Sequence, residues 1–380
     1  MATEKKAYSP GKEGLDDLFK DLQIHEPVNE KRKQADILSQ VQAEISPAEA
    51  VEKPKDFRTI HQGVSTNALT KARATPGDSM RVDRISGDAT ITIGNLTLRL
   101  PKYSELFQDI KTSTHQLVDA LVLELTETGA RSPTVILTVS EYMKQRGLRD
   151  RKEARKQLTA DLAILTGYSL TWEESRGKET LPYAGISVTD NWIWADKQKT
   201  AIAFTFGHTF YQVLRGYPVM PYPQLLQRIN AKRNPHSYYM GRKIAEHKNM
   251  NYGKKNEDLI AVKTLLESSP YFPSYDEVSK TDRHLDQRII TPFERDLNAL
   301  DAILSWEYCH SMGKPLTDEE QQNMTYRDFE DLLIKVTWKN YPEQTQEAKL
   351  ERKAEAIEKA TKKRSRRASK KTKPEETSED

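Results

Sequence analysis

Few side chains in this sequence could act together as nucleophile, proton carrier and metal ligand. Its eight histidines include no His-x-His pair, and it has a single cysteine, Cys309. DNA nicking would need such a histidine pair beside a nucleophilic tyrosine. Tyr238 and Tyr239 closely follow His236, but no base or metal cluster accompanies them, so they read as aromatic core or helix-surface residues. His284 and Arg288 stand one helical turn apart, a spacing that suits a grip on phosphate, and the arginine–tyrosine set of a recombinase is not legible. His25 and Glu26 lie in a segment too polar to build a metal site. No G-x-x-x-x-G-K-[ST] loop occurs, so no nucleoside-triphosphate site is evident. The lone cysteine excludes an intramolecular disulfide and a cysteine-cluster zinc site. These residues point away from an enzyme and call for no metal or cofactor.

What the sequence offers instead is clustered cations. In "LRDRKEARKQLTADLAILTGYSLTWEE", Leu148 to Glu174, helical spacing over Asp150–Thr166 aligns Ala154, Leu158, Leu162 and Leu165 in one apolar stripe. Arg151, Lys152, Arg155 and Lys156 fall off that stripe and crowd the first two turns. The helix dipole already makes that end positive, so each cation costs roughly 0.3–1 kcal/mol there. A polyanionic partner accounts for the cost, because helix N-termini and basic side chains both bind phosphate. Lys144, Arg146 and Arg149 lie just upstream, and Arg176 and Lys178 occupy the loop expected at the tip of a β-ribbon. The competing reading is a solvated face, with Glu153 and Asp161 supplying partial neutralisation.

A second cluster follows Lys280. Leu285, Ile289, Phe293, Leu297 and Leu300 repeat every three or four residues, while Arg283, His284, Gln287, Arg288 and Arg295 lie off that stripe. Pro292 should kink or restart this helix. Thr291 as cap, with Pro292 in the first turn and Glu294 three residues on, favours a restart.

The elements that must hold these clusters can be read from periodicity. The 380 residues leave room for two domains plus tails, and the low hydrophobic content, 36%, points to disordered ends. Residues 1–85 are expected to be largely disordered, with one partner-docking helix over residues 14–22 carrying Leu15, Leu18, Phe19 and Leu22. "ATITIGNLTLRL" predicts a hairpin, and a helix from Tyr103 to Thr128 follows, with Leu106, Ile110, Leu117, Leu121 and Leu125 on one side. Val135–Val139 reads as a strand and Ser140 as the cap of a short helix ending at Gly147. The Asp150–Thr166 helix comes next. Strands in "YSLTWEE", "AGISVTDNWIWAD" and "KTAIAFTF" complete the unit, with "SRGKETLP" as the loop between the first two. This is the element order of a winged helix.

Pro218, Pro221 and Pro223 are expected to mark a linker, after which the element order is expected to recur. "YPQLLQRINAK" and "HSYYMGRKIAEHKNM" read as helices, and "DLIAVKTLLESS" as strand then helix. A helix–turn–helix follows, then a strand, and "YRDFEDLLIKVTWK" is the last strand candidate. All five tryptophans fall on predicted strands, where core packing is the default. The fold class expected is therefore α+β, with winged helices over 86–217 and 218–341. Residues 342–380 read as a charged helix and a disordered basic tail that grips polyanions. Nothing resembles a signal peptide or a membrane span of ~20 apolar residues, so a reducing cytoplasm and association with the nucleoid are expected.

"RHLDQRIITPFERDLNAL" resembles the recognition-helix segment of plasmid and mobile-element replication initiators built from two tandem winged helices. Arg288-Ile289-Ile290-Thr291-Pro292 matches the middle of that family's pattern, and Asp296-Leu297-Asn298 matches its end. "HSYYMGRKIAEH" is similar to the helix that opens the family's second domain, and "RKEARKQLTADLAIL" to the first-domain helix used at DNA or at the dimer interface. The resemblance spans about residues 88–340. Departures are Phe293, where a small residue is usual, and the Pro-rich inter-domain region. The resemblance implies binding to double-stranded origin repeats, recruitment of host replication proteins, and a switch between a repressing homodimer and an initiating monomer. Two other readings stay open: a winged-helix transcription regulator of a mobile element, and a structural or partitioning adaptor working through Leu15–Leu22.

Overall fold

The computed structural model describes residues 56–70, 80–93, 96–101, 110–176, 179–273, 286–310, 313–317, 319–320 and 326–342. The expected docking helix at Leu15–Leu22 and the charged tail lie outside these residues, as do Lys178, Lys280, Arg283 and His284. The chain is α+β. In order, its elements are β1 (Phe57–His61), α1 (Val64–Leu69), β2 (Met80–Val82), β3 (Ala89–Ile93), β4 (Leu96–Leu100), α2 (Thr112–Glu127), β5 (Thr134–Thr138), α3 (Val139–Arg146), α4 (Arg151–Thr166), β6 (Ser169–Arg176), β7 (Glu179–Ser187), β8 (Thr189–Trp194) and β9 (Ala201–Phe206). There follow α5 (His208–Gly216), β10 (Val219–Pro223), α6 (Leu225–Arg228), α7 (Ser237–Asn251), β11 (Leu259–Ala261), α8 (Val262–Ser268), a π turn (Asp286–Ile290), α9 (Thr291–Asn298), β12 (Leu304–Cys309), α10 (Tyr326–Asp331) and β13 (Leu333–Trp338).

Two three-stranded sheets share one topology. In the first half the strand order is β5-β9-β8, and in the second it is β11-β13-β12. Each has its first strand on one edge and its last in the middle. Each first strand is preceded by a long helix, α2 or α7. Each is followed by helices before its second and third strands. The first half adds a five-stranded sheet, β2-β3-β4-β6-β7, whose strands β2–β4 come before α2 and whose β6–β7 hairpin comes between α4 and β8. One apolar cluster runs through both halves, from Leu117, Leu158 and Phe204 to Ile260, Phe293 and Val336.

Several expectations are corrected. Folded structure begins well before residue 85: β1 pairs antiparallel with β10, and Ala68 and Leu69 of α1 are buried. Two of the three prolines expected to mark a linker therefore sit in a strand, Pro221 opposite Thr59 and Pro223 opposite Phe57, and Pro218 stands just before it. A two-stranded ribbon has only edge strands, where a missing N–H can face away from the ladder. The long helix starts at Thr112 and is buried almost all round, His115, Gln116 and Asp119 included, because both halves pack on it. Thr138, not Ser140, caps α3, since its hydroxyl and Glu141 three residues on satisfy each other's backbone N–H groups. "SRGKETLP" is mostly strand, with Arg176 opposite Glu179. "AGISVTDNWIWAD" is not one strand: the chain leaves β7 at Ser187 and enters β8, in the other sheet, at Thr189. Gly207 permits that crossing, because a Cβ there would lie 2.2 Å from the Ser187 carbonyl oxygen.

In the second half "YPQLLQRINAK" is helical only over Leu225–Arg228, and "YRDFED" is helix rather than strand. Thr291 is no cap: Ile290 already has helical angles, and the π turn runs straight into α9 with Pro292 in the first turn. A widened turn relieves the clash of a proline ring with the carbonyl four residues back.

Polar contacts lock the halves together. Asp119 of α2 accepts from Tyr238 Oη at 2.6 Å and Arg242 Nε at 3.1 Å, both on α7. Arg242 Nη1 donates to Asn67 Oδ1 at 2.7 Å. Burial works against the guanidinium charge, but the Asp119 carboxylate outweighs it and holds the Arg242 pKa above its ordinary value. Tyr238 and Tyr239, weighed above as nucleophiles, are buried in this seam.

Candidate nucleic-acid interface

Helix α4 has the form its sequence requires. Asp150 caps it, Oδ1 accepting from the Glu153 N–H at 2.8 Å, a contribution of about 1 kcal/mol. Gly147, with φ +64°, closes α3 in the left-handed region and turns the chain toward α4. Ala154, Leu158, Leu162 and Leu165 are buried, as their stripe predicts. Arg151, Lys152 and Lys156 are exposed, with Lys144 and Arg149 beside them. None of these five forms a salt bridge among the described residues. Arg146 is half-buried and donates through Nη1 to the Gln227 carbonyl at 3.2 Å, so it braces α3 against α6.

Asp161 does not neutralise this face. It is buried on α4, accepting from Thr114 Oγ1 at 2.7 Å and Ser113 Oγ at 3.1 Å in the first turn of α2. Burial raises its pKa to about 6, against the opposing pull of the two hydroxyls. The surface of α4 is thus more cationic than its composition suggests, with Glu153 and the capping Asp150 the acids exposed at its N-terminal end.

The hairpin that meets α4 is β8–β9, not β6–β7. Arg155, half-buried, donates from Nε to the Lys199 carbonyl at 3.0 Å in the β8–β9 loop. That loop carries exposed Lys197 and Lys199; Lys199 sits at φ 56° with its ammonium over the Trp194 ring. The sequence reading missed both lysines, although "ADKQKT" between two β-rich runs is a turn signature. Arg176 belongs to the β6–β7 hairpin of the five-stranded sheet.

The second cluster is built differently. Gln287 and Arg288 are exposed on the π turn, where Ile289 points inward. Arg295 is paired with Asp296, Nη2 to Oδ1 at 2.7 Å. Asp296 is buried and accepts from the backbone N–H groups of His236 and Ser237 at 2.5 and 3.2 Å, tying α9 to the start of α7. Burial raises this carboxyl too, against those N–H groups and Arg295.

No family model matches the chain, and no curated protein matches it in sequence. Solved structures do. RctB domains 2-3 are 12% identical over 74% of this chain and 99% of that one, with a TM-score of 0.37. Selenomethionine derivatives of domains 2 and 3 of RctB are 11% identical over 72% of this chain and 98% of that one, also at 0.37. At this identity and TM-score the similarity settles neither activity nor partner. Among the described residues, no helix is long and apolar enough to cross a membrane, and no group of three His, Cys, Asp or Glu could hold a metal ion.

Proposed function

We propose that this protein is a non-enzymatic, sequence-specific duplex-DNA-binding replication initiator of a plasmid or integrated mobile element. In this reading the two like-ordered halves are tandem winged helices. The first lays the N-terminal end of α4 into a major groove, and its β8–β9 wing rests on the flanking backbone. The second presents the π turn and α9 to the next groove. The observation that carries the reading is the cationic end of α4, where Arg151, Lys152 and Lys156 are exposed and form no salt bridge among the described residues, beside the lysine-bearing loop that Arg155 holds. Cations at a helix N-terminus destabilise the free helix and stabilise a phosphate complex. The initiator assignment draws on the resemblance of the Arg288–Asn298 segment to that family. Binding to repeats would strain an adjacent AT-rich tract toward opening, and a homodimer and recruited host replication proteins belong to the same proposal.

A hydroxyl-radical footprint on DNA flanking the gene tests the reading. One bound protein should protect two groove segments about 10 base pairs apart. Absence of any protected duplex would overturn it. Persistence of a minimal plasmid carrying only this gene and its flanking DNA separates an initiator from a transcription regulator.

A further inference from the structure

We infer that the connector between the two halves, Arg228 to Arg233, is a third phosphate-binding surface that grips the DNA backbone between the two grooves. The inference rests on the duplex-binding reading above.

From Lys197 to Ala245 there is no Asp or Glu, in a chain that has 56 of them. This run starts in the loop beside α4 and ends inside α7. Its exposed cations at the middle are Arg228, Lys232 and Arg233. None of the three forms a salt bridge among the described residues. Asn230 shapes the display: its Oδ1 accepts from the Lys232 N–H at 3.0 Å, and its carbonyl from the N–H groups of Arg233 and Asn234 at 3.0 and 2.9 Å. That turn places two cations on adjacent residues and leaves both side chains in solvent.

The connector is fixed at both ends to the candidate DNA-binding parts. On one side α6 packs against α3, and Arg146 holds the Gln227 carbonyl, so Arg228 follows directly on a brace to the segment that leads into α4. On the other side Asp296 of α9 holds the N–H groups of His236 and Ser237, three and four residues past Arg233. A protein that enters two successive major grooves must cross the phosphates between them, and the segment bridging its two grips is the part that lies there. Three exposed cations with no salt bridge among the described residues, on a braced bridge, suit that position, and like-charge repulsion makes them unfavourable without a polyanion.

The test is the salt dependence of binding to the duplex defined by the footprint, for wild type and for Arg228→Ala/Lys232→Ala/Arg233→Ala. Each phosphate contact adds about 0.9 to the magnitude of the log–log slope, so the triple variant should lose about 2 to 3 from it. Methylphosphonates placed between the two protected grooves should weaken wild type and leave the triple variant unchanged. Arg228→Lys/Lys232→Arg/Arg233→Lys should keep the wild-type slope, which separates charge from any effect on folding. An unchanged slope in the alanine variant overturns the inference, as does a loss seen only with RNA. If wild type itself shows no salt-dependent duplex binding, the functional reading fails first. If wild type binds as expected and the alanine variant matches it, the connector alone is at fault.

Discussion

Helices α4 and α9 occupy the same place in two like-ordered halves, and each is anchored by one buried aspartate. Asp161 ties α4 to the first turn of α2, and Asp296 ties α9 to the first turn of α7. The second partner differs. Asp161 has hydroxyl donors and no salt bridge among the described residues, whereas Asp296 also takes Arg295 from the neighbouring surface. The first half thus leaves Arg151, Lys152 and Lys156 of α4 without a salt bridge among the described residues, and the second commits Arg295 to holding the fold. Equal topology does not give equal grip: α4 is the stronger candidate for anchoring a polyanion, and α9 the more rigidly braced.

The largest effect expected from this contrast is on stability. The raised pKa of Asp161, about 6 against an ordinary 3.8, means the fold favours the protonated carboxyl. Stability from this group is fullest below about pH 4, falls as pH rises toward 6, and stays reduced above it. Asp161→Asn removes that ionisation and keeps an acceptor for Ser113 and Thr114. Relative to wild type, it should gain about 3 kcal/mol at most between pH 4 and pH 7, by urea unfolding at each pH. A wild-type-minus-variant difference that is flat across that range would contradict the assignment. A smaller effect distinguishes two arginines of the second half. Arg288→Ala should weaken duplex binding by roughly tenfold, as loss of a charge-assisted contact. Arg295→Ala should weaken it by less than about threefold and instead lower the melting temperature, because it removes a partner of a buried carboxylate. Equal losses in anisotropy titrations would mean that Arg295 is no brace.

Much of this was legible where periodicity is local. The stripe of α4, the β3–β4 hairpin and the strand–helix pair β11–α8 follow from spacing alone. The β1–β10 ribbon was not, because its partners lie more than 150 residues apart in sequence and proline-rich composition reads as linker. The hairpin that meets α4 was not legible because the five-stranded sheet interposes a second hairpin before the strands that return to α4. The buried aspartates left a signal that was not used. Asp161 stands three residues after Leu158 and four before Leu165, and Asp296 three after Phe293 and four before Leu300. That spacing puts both carboxylates on the apolar faces of their helices. The freedom of Arg155 and Arg295 was overestimated for a related reason: a wheel separates apolar from polar faces, but it does not show that half-buried Arg155 bonds the Lys199 carbonyl or that exposed Arg295 pairs with buried Asp296.

The central claim is that the cationic end of α4 holds duplex DNA through its phosphates, and paired binding titrations from 50 to 200 mM salt test it most directly. Wild type should lose on the order of a thousandfold in affinity across that range. Arg151→Glu/Lys152→Glu should bind at least about a hundredfold more weakly at 150 mM, with a log–log slope shallower by about 2. Wild-type affinity and slope in that variant, with its fold intact by circular dichroism, would contradict the account.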